Sequence, residues 1–234
     1  DLTNAPLLMA ISEKDMPVIL STGMSTLGDI EVALGALAFG YTKGDDPSLS
    51  AFRAAWDSEE ASRQLKDRVI LLHCTTEYPA PYKSINLKSM ATLHNAFGLP
   101  VGLSDHSPGV AVSIAAVAMG AKVIEKHFTL DKSLPGPDHK ASLEPRELKA
   151  LVEGIRAVEL AKGNSCKVPS RSESKNAVAA RKSLVASQRI KKGELFSRTN
   201  LTCKRPGAGV SPTLYWDYIG QPAQKDYETD ELIQ

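Results

Sequence analysis

The stretch VGLSDHSPGVAVSIAAVAMGAKVIEKHFTL, residues 101–130, decides the fold. Its first run is short, apolar and continuous, and it closes on Ser104-Asp105-His106-Ser107. PGVAVSIAAVAMG then has a helical pattern, and AKVIEKHFTL repeats the first design, closing on Glu125-Lys126-His127. Apolar runs that do not alternate, joined by a helix, are expected of parallel strands covered on both faces.

Two further runs of the same kind lie upstream, PVILSTGM from Pro17 and VILLHCTTEYP from Val69. LGDIEVALGALAF and a stretch around Ile85–Phe97 supply the intervening helical patterns. A Pro/Gly-rich loop after the last run leads to PRELKALVEGIRAVELAKG, with Pro145 near the first turn and Gly163 just past the end, the usual start and stop chemistry of a helix. Four such β-α units define an α/β layer or barrel over residues 1–163. Residues 41–68 are polar and charged around Trp56, and read as an insertion with one helix over residues 51–65 that covers the surface. Residues 164–174 are rich in Ser and Lys and read as a linker. Beyond it, residues 175–234 hold short strand-like pieces and turn signals without a long helix, as in a small β-rich domain.

Composition narrows the function. The 234 residues carry 28 Lys and Arg against 27 Asp and Glu, a formal charge of +1. That balance gives no general attraction to nucleic acid or anionic membrane. Apolar residues make up 42% and charged residues 24%, ordinary values for a globular chain with a real core. No apolar stretch approaches the about 20 residues that span a bilayer. Cys74, Cys166 and Cys203 form no CxxC pair and leave an odd count, so a reducing cytoplasm is expected. The N-terminus lacks the basic and apolar regions of a secretory signal, and it begins mid-pattern without Met, as a chain without its front would.

In parallel α/β folds ligands bind where the strands end and the βα loops converge. Those ends read Ser21-Thr22-Gly23, His73-Cys74-Thr75-Thr76, Ser104–Ser107 and Glu125–His127. His106 and His127 each finish a strand, and on neighbouring strands about 5 Å apart their imidazoles could share a divalent metal. Alternation puts His106 on the face of Ser104 and His127 on that of Glu125. The other reading is two unrelated histidines. His73 reads as a packing residue on the helix side, Cys74 as a small buried residue and His94 as a surface residue. The loop KSLPGPDHKASLEP, stiffened by prolines around Gly136, holds Asp138 and His139 near the strand ends, either for hydroxyl recognition or as a plain turn. In KRPGAG, Arg205 stands on a constrained turn from which it could reach an anion or amide carbonyl.

HCTTEYPAP, GLSDHS, VIEKHFTLDK, GPDHKASLEP and ARKSLVA…IKKGELF…NL…KRPGAGVSP, taken in order, resemble the N-acetylneuraminate (sialic acid) synthase family, which includes legionaminic and pseudaminic acid synthases. The likeness covers nearly the whole chain except residues 41–68. It implies the C-terminal half of a (β/α)8 TIM barrel, strands five to eight, followed by a small antifreeze-like (SAF) domain. It further implies condensation of phosphoenolpyruvate with an N-acyl hexosamine, such as N-acetylmannosamine or a 2,4-diacetamido sugar, giving a nonulosonic acid and phosphate. His106 and His127 match the family's ligands for Mn2+, with Mg2+ or Co2+ as substitutes. Ser21, Thr76 and Ser104 match phosphoenolpyruvate contacts, Thr76 standing where some members have Asn. Asp1, Tyr78 and Asp138 match the amino-sugar side. Arg205 matches the arginine that reaches the sugar's N-acyl group from the other subunit of a homodimer with swapped SAF domains. An early glutamate and the lysines that hold phosphoenolpyruvate would lie ahead of Asp1.

Two other readings compete with this one. An octulosonate-phosphate type of phosphoenolpyruvate aldol synthase generally lacks a domain with KRPGAG. A non-catalytic half-barrel, serving as a binding or dimerising module, draws support from the absent front half. Half a barrel would leave two strand edges open and favour aggregation or dimerisation.

Overall fold

The computed structural model describes every residue from Asp1 to Gln234 and divides into two compact units, Asp1–Gly163 and Asn164–Gln234. In the first, α1 (Ala5–Ser12) leads into β1 (Val18–Ser21), α2 (Leu27–Tyr41), α3 (Leu49–Trp56) and α4 (Glu59–Arg68). Then follow β2 (Val69–Cys74), α5 (Tyr82–Ile85), α6 (Ser89–Phe97), β3 (Val101–Asp105), α7 (Ala111–Ala118), β4 (Ile124–Lys126) and α8 (Pro145–Lys162). The strands form one parallel sheet in the order β1-β2-β3-β4. Parallel neighbours taken in chain order and joined by helices make half of a (β/α)8 barrel.

The register sorts the side chains onto two faces. Ser21 pairs with Leu72, Cys74 with Ser104, and Ser104 with Glu125, so these residues share the concave face. Leu20, Leu71 and Val101 are partners on the opposite face. There they join Ile30, Leu34, Leu37, Met90, Leu93 and Ala116 in the main core. The concave face is open below the site, and Ile19, which points into it beside Ile70, is 54% exposed. Beyond Lys126 the chain still pairs: Phe128 bridges Leu143 in parallel fashion, so the following loop returns alongside the β4 edge.

Residues 41–68 differ from the single covering helix expected of them. Asp57-Ser58 splits the segment, and the Ser58 side chain caps α4 by accepting from Ala61 N. The segment is also not a mere cover. Phe52 is buried and meets Phe39 edge-on at 5.5 Å, while Ala61 and Leu65 complete the core. Gly35 makes this packing possible, because a Cβ there would stand 2.6 Å from the Phe52 carbonyl oxygen.

The second unit comprises α9 (Arg171–Ala180), β5 (Ser183–Ala186), β6 (Leu201–Lys204) and α10 (Tyr215–Tyr218). The strands pair antiparallel, and isolated bridges at Val185–Leu232, Ile190–Tyr227 and Leu195–Pro222 extend the β framework. Leu184, Ile190, Phe196, Tyr227 and Ile233 form its own core. α9 corrects the sequence expectation, since it begins inside the segment read as linker and gives this unit a ten-residue helix. Ser170 and Glu173 close a capping box at its start. No helix of the protein is long and apolar enough to cross a membrane.

Candidate active site

His106 and His127 stand one residue beyond the ends of β3 and β4, with ring centroids 5.5 Å apart and planes nearly perpendicular. Hydrogen bonding fixes the ring protons. His106 Nδ1 lies 2.7 Å from the Thr75 carbonyl oxygen, which can only accept, so Nδ1 carries the proton. In the neutral ring Nε2 is then the lone-pair nitrogen. Its neighbour, Ser104 Oγ at 3.3 Å, directs its own proton to Glu125 Oε1 at 2.6 Å.

Tyr78 completes the cluster. Its ring lies 4.0 Å from the His106 ring and 4.6 Å from that of His127, and its hydroxyl contacts His127 Nε2. Burial pushes the Tyr78 hydroxyl up to about 12, reinforced by the negative charges of Asp138 and other nearby groups. It therefore keeps its proton and donates, so His127 Nε2 accepts and Nδ1–H faces Asp138 Oδ2 at 3.8 Å. His127 Nε2 thus faces the Tyr78 hydroxyl and His106 Nε2 faces Ser104 Oγ. No group of three or more His, Cys, Asp or Glu side chains is arranged to hold a metal ion. Two neutral imidazoles suit an open site, whose other positions fall to water or substrate oxygens.

The surrounding loops are tied down. Ala80 N donates to the His106 carbonyl at 2.9 Å, and Leu143 N to that of His127 at 2.8 Å. His139 Nδ1 pairs with Thr129 Oγ1 at 2.7 Å, and Ser142 Oγ donates to the Asp138 carbonyl at 2.8 Å. Ser21 and Thr76 sit at the neighbouring strand ends, both exposed. Thr76 Oγ1 lies against Gly23, where a Cβ would come within 2.5 Å. Asp1 is exposed at the start of the chain, and its carbonyl accepts from Asn4 N. In the second unit, Arg205 Nε donates to the Ala180 carbonyl at 2.7 Å, which directs an otherwise exposed guanidinium. Gly207 and Gly209 let this turn pack, since a Cβ would come within 2.7 Å of Arg181 Cβ and 2.9 Å of the Ile233 carbonyl oxygen respectively.

His73 faces the helices, its Nε2 2.5 Å from the Ile85 carbonyl oxygen. His94 is exposed, with Nδ1 on the Leu99 carbonyl at 2.9 Å. Cys74 is half-buried on the concave face, rather than fully buried as expected. Sequence reasoning passed over Glu125, although alternation already set it on the His127 face. It also missed the pair behind the histidines. Lys126 Nζ lies 3.0 Å from Asp105 Oδ2, and their side chains are 4% and 0% exposed. Burial pushes the Asp105 carboxyl up, but hydrogen bonds from Ser107 and Ser113 and the Lys126 charge outweigh it and hold the group below its ordinary value.

A parallel half-barrel with an imidazole pair at its strand ends, followed by a small β unit, defines the class: a (β/α)-barrel protein with an appended SAF domain. The NeuB family model matches residues 1–167 and the SAF domain model residues 181–234. The chain belongs to the NeuB family. It is 50% identical to N,N'-diacetyllegionaminic acid synthase of Campylobacter jejuni, covering 100% of this chain and 64% of that protein. With the Legionella pneumophila protein of the same name it shares 41% identity over 94% of this chain and 56% of that one. Among solved structures, the N-acetylneuraminic acid synthetase of Leptospira borgpetersenii in complex with citrate superposes with a TM-score of 0.58 at 32% identity, covering 75% of this chain and 53% of that one. The chain therefore spans roughly three fifths of the length of the relatives it matches.

Proposed function

We propose that the protein carrying this chain condenses phosphoenolpyruvate with an N-acyl hexosamine to form a nonulosonic acid and inorganic phosphate. The observation that carries this reading is the imidazole pair at the ends of β3 and β4, with ring centroids 5.5 Å apart and the Tyr78 ring against both. The 50% identity to a diacetyllegionaminic acid synthase supports a 2,4-diacetamido sugar as acceptor, in preference to N-acetylmannosamine.

In this reading His106 and His127 would hold a divalent ion, Mn2+ first and Mg2+ or Co2+ as substitutes. Such an ion supplies Lewis-acid polarisation of the sugar's aldehyde oxygen. The chain's own groups do the rest. The Ser21 and Thr76 hydroxyls donate to the phosphate and carboxylate of phosphoenolpyruvate, and Ser104 joins them once its proton leaves Glu125. Tyr78, which retains its proton at neutral pH, donates to a sugar oxygen once its hydroxyl leaves His127. Asp1 and Asp138 accept from sugar hydroxyls, and the Thr75 carbonyl keeps the His106 tautomer fixed. Arg205 donates to the N-acyl carbonyl from the swapped SAF domain of a second copy. Free thiols at Cys74, Cys166 and Cys203 accord with a cytoplasmic setting.

The test is phosphate release from phosphoenolpyruvate in the presence of Mn2+ and each candidate sugar, using the full protein that carries this chain. Turnover is expected, fastest with the diacetamido sugar, and His106→Ala should abolish it. Undiminished turnover in that variant would remove the role given to the imidazole pair.

A further inference from the structure

We propose that the buried Lys126–Asp105 ion pair is the positioning element that sets the separation of the two imidazoles. The proposal rests on the reading of His106 and His127 as the metal-holding pair. Asp105 and Lys126 are partners on the last rung of the β3–β4 ladder, and the two histidines are the next residue on each strand. Alternation sends the ion pair into the helix layer and the imidazoles toward the cleft.

The ammonium brackets His106. Lys126 Nζ binds the Asp105 carboxylate at 3.0 Å and the Ser107 carbonyl at 2.7 Å, so one donor grips the residues on either side of the histidine. The carboxylate is anchored in turn. It accepts from Ser107 N at 2.9 Å, from Ser107 Oγ at 2.6 Å and from Ser113 Oγ of α7 at 2.5 Å. β4 is only three residues long and stops at Lys126, so its ladder with β3 does not reach His127, whose carbonyl instead accepts from Leu143 N at 2.8 Å on the other edge. The Ser104–Glu125 hydrogen bond ties the same strands on the concave face, one rung lower. Lys126 is the tie that reaches past the last rung. A buried ion pair is a poor source of net stability compared with apolar packing of the same volume. Directional bonds from one cation to both flanks of a ligand residue are something apolar packing cannot supply.

The experiment compares wild type, His106→Ala, and the double variant Lys126→Met with Asp105→Leu, all in the full protein. Readouts are Mn2+ affinity from the EPR signal of the free ion, the visible absorption of added Co2+, and the thermal unfolding midpoint. The double variant should unfold near the wild-type temperature yet bind Mn2+ about 10–100-fold more weakly, the usual size of such second-layer effects, with an altered Co2+ spectrum. Wild-type Mn2+ affinity and Co2+ spectrum in the double variant would overturn the proposal. Should the double variant fail to fold, Lys126→Gln decides instead: weakened Mn2+ binding in the folded variant supports positioning, and unchanged binding overturns it. Failure of the underlying reading looks different, because His106→Ala would then bind Mn2+ as the wild type does.

Discussion

Ser104 donates its hydroxyl proton across the β3–β4 ladder to Glu125, Oγ to Oε1 at 2.6 Å. The same oxygen stands 3.3 Å from His106 Nε2. Glu125 thereby keeps the serine proton away from the lone pair that the proposed metal role requires.

Removing that acceptor should therefore weaken metal binding. In Glu125→Ala the Ser104 hydroxyl is free to donate to His106 Nε2, and a hydrogen bond worth about 0.5–1.5 kcal/mol must be broken before a cation binds. Mn2+ affinity should fall roughly 2–10-fold, measured by titration. Unchanged affinity would mean that Ser104 does not compete for the ring.

Asp105→Asn leaves the Lys126 ammonium buried without its counter-charge, which costs about 3–5 kcal/mol for a broken buried pair. The pH dependence follows from the carboxyl being held below its ordinary value of 3.8. Its contribution is complete above that unfolded-state value and is lost as pH falls through the lower folded-state value. Denaturant unfolding should show a large gap between wild type and variant at pH 7. The gap should narrow below pH 3.8; a gap independent of pH would contradict the assigned ionisation.

Phe52→Ala tests whether residues 41–68 belong to the core. Phe52 is 7% exposed and stacks edge-on against Phe39, so truncation should destabilise by about 3–5 kcal/mol. A loss under about 0.5 kcal/mol, the range of surface substitutions, would return the segment to the status of a cover.

Arg205→Ala separates the two proposed substrates. A charge-assisted hydrogen bond contributes about 1.5–3 kcal/mol, so the KM for the amino sugar should rise roughly 10–100-fold while that for phosphoenolpyruvate stays constant. Equal losses for both in steady-state kinetics would contradict the proposed role.

The four apolar runs were legible because strands covered by helices must be continuously apolar, and β1 to β4 fall within them. Alternation was enough to put His106 with Ser104 and His127 with Glu125. The Thr75 carbonyl was not readable, because any residue type there offers the same oxygen. Nor was the Tyr78 contact with His127, which joins residues 49 apart. Two helices were misread for opposite reasons. The helix expected over residues 51–65 is two helices, and the charged residues around Phe52, Ala61 and Leu65 hid their place in the core. α9 buries none of its residues, so it shows no apolar period, and only the Ser170-x-x-Glu173 spacing announced it.

Residues 161–170 are exposed without interruption, between one apolar core that ends with α8 and another that begins after α9. Trypsin should accordingly nick native protein at Lys167 early in digestion, giving a C-terminal fragment that starts at Val168 and retains Leu184, Ile190 and Tyr227 with the core residues they pack against.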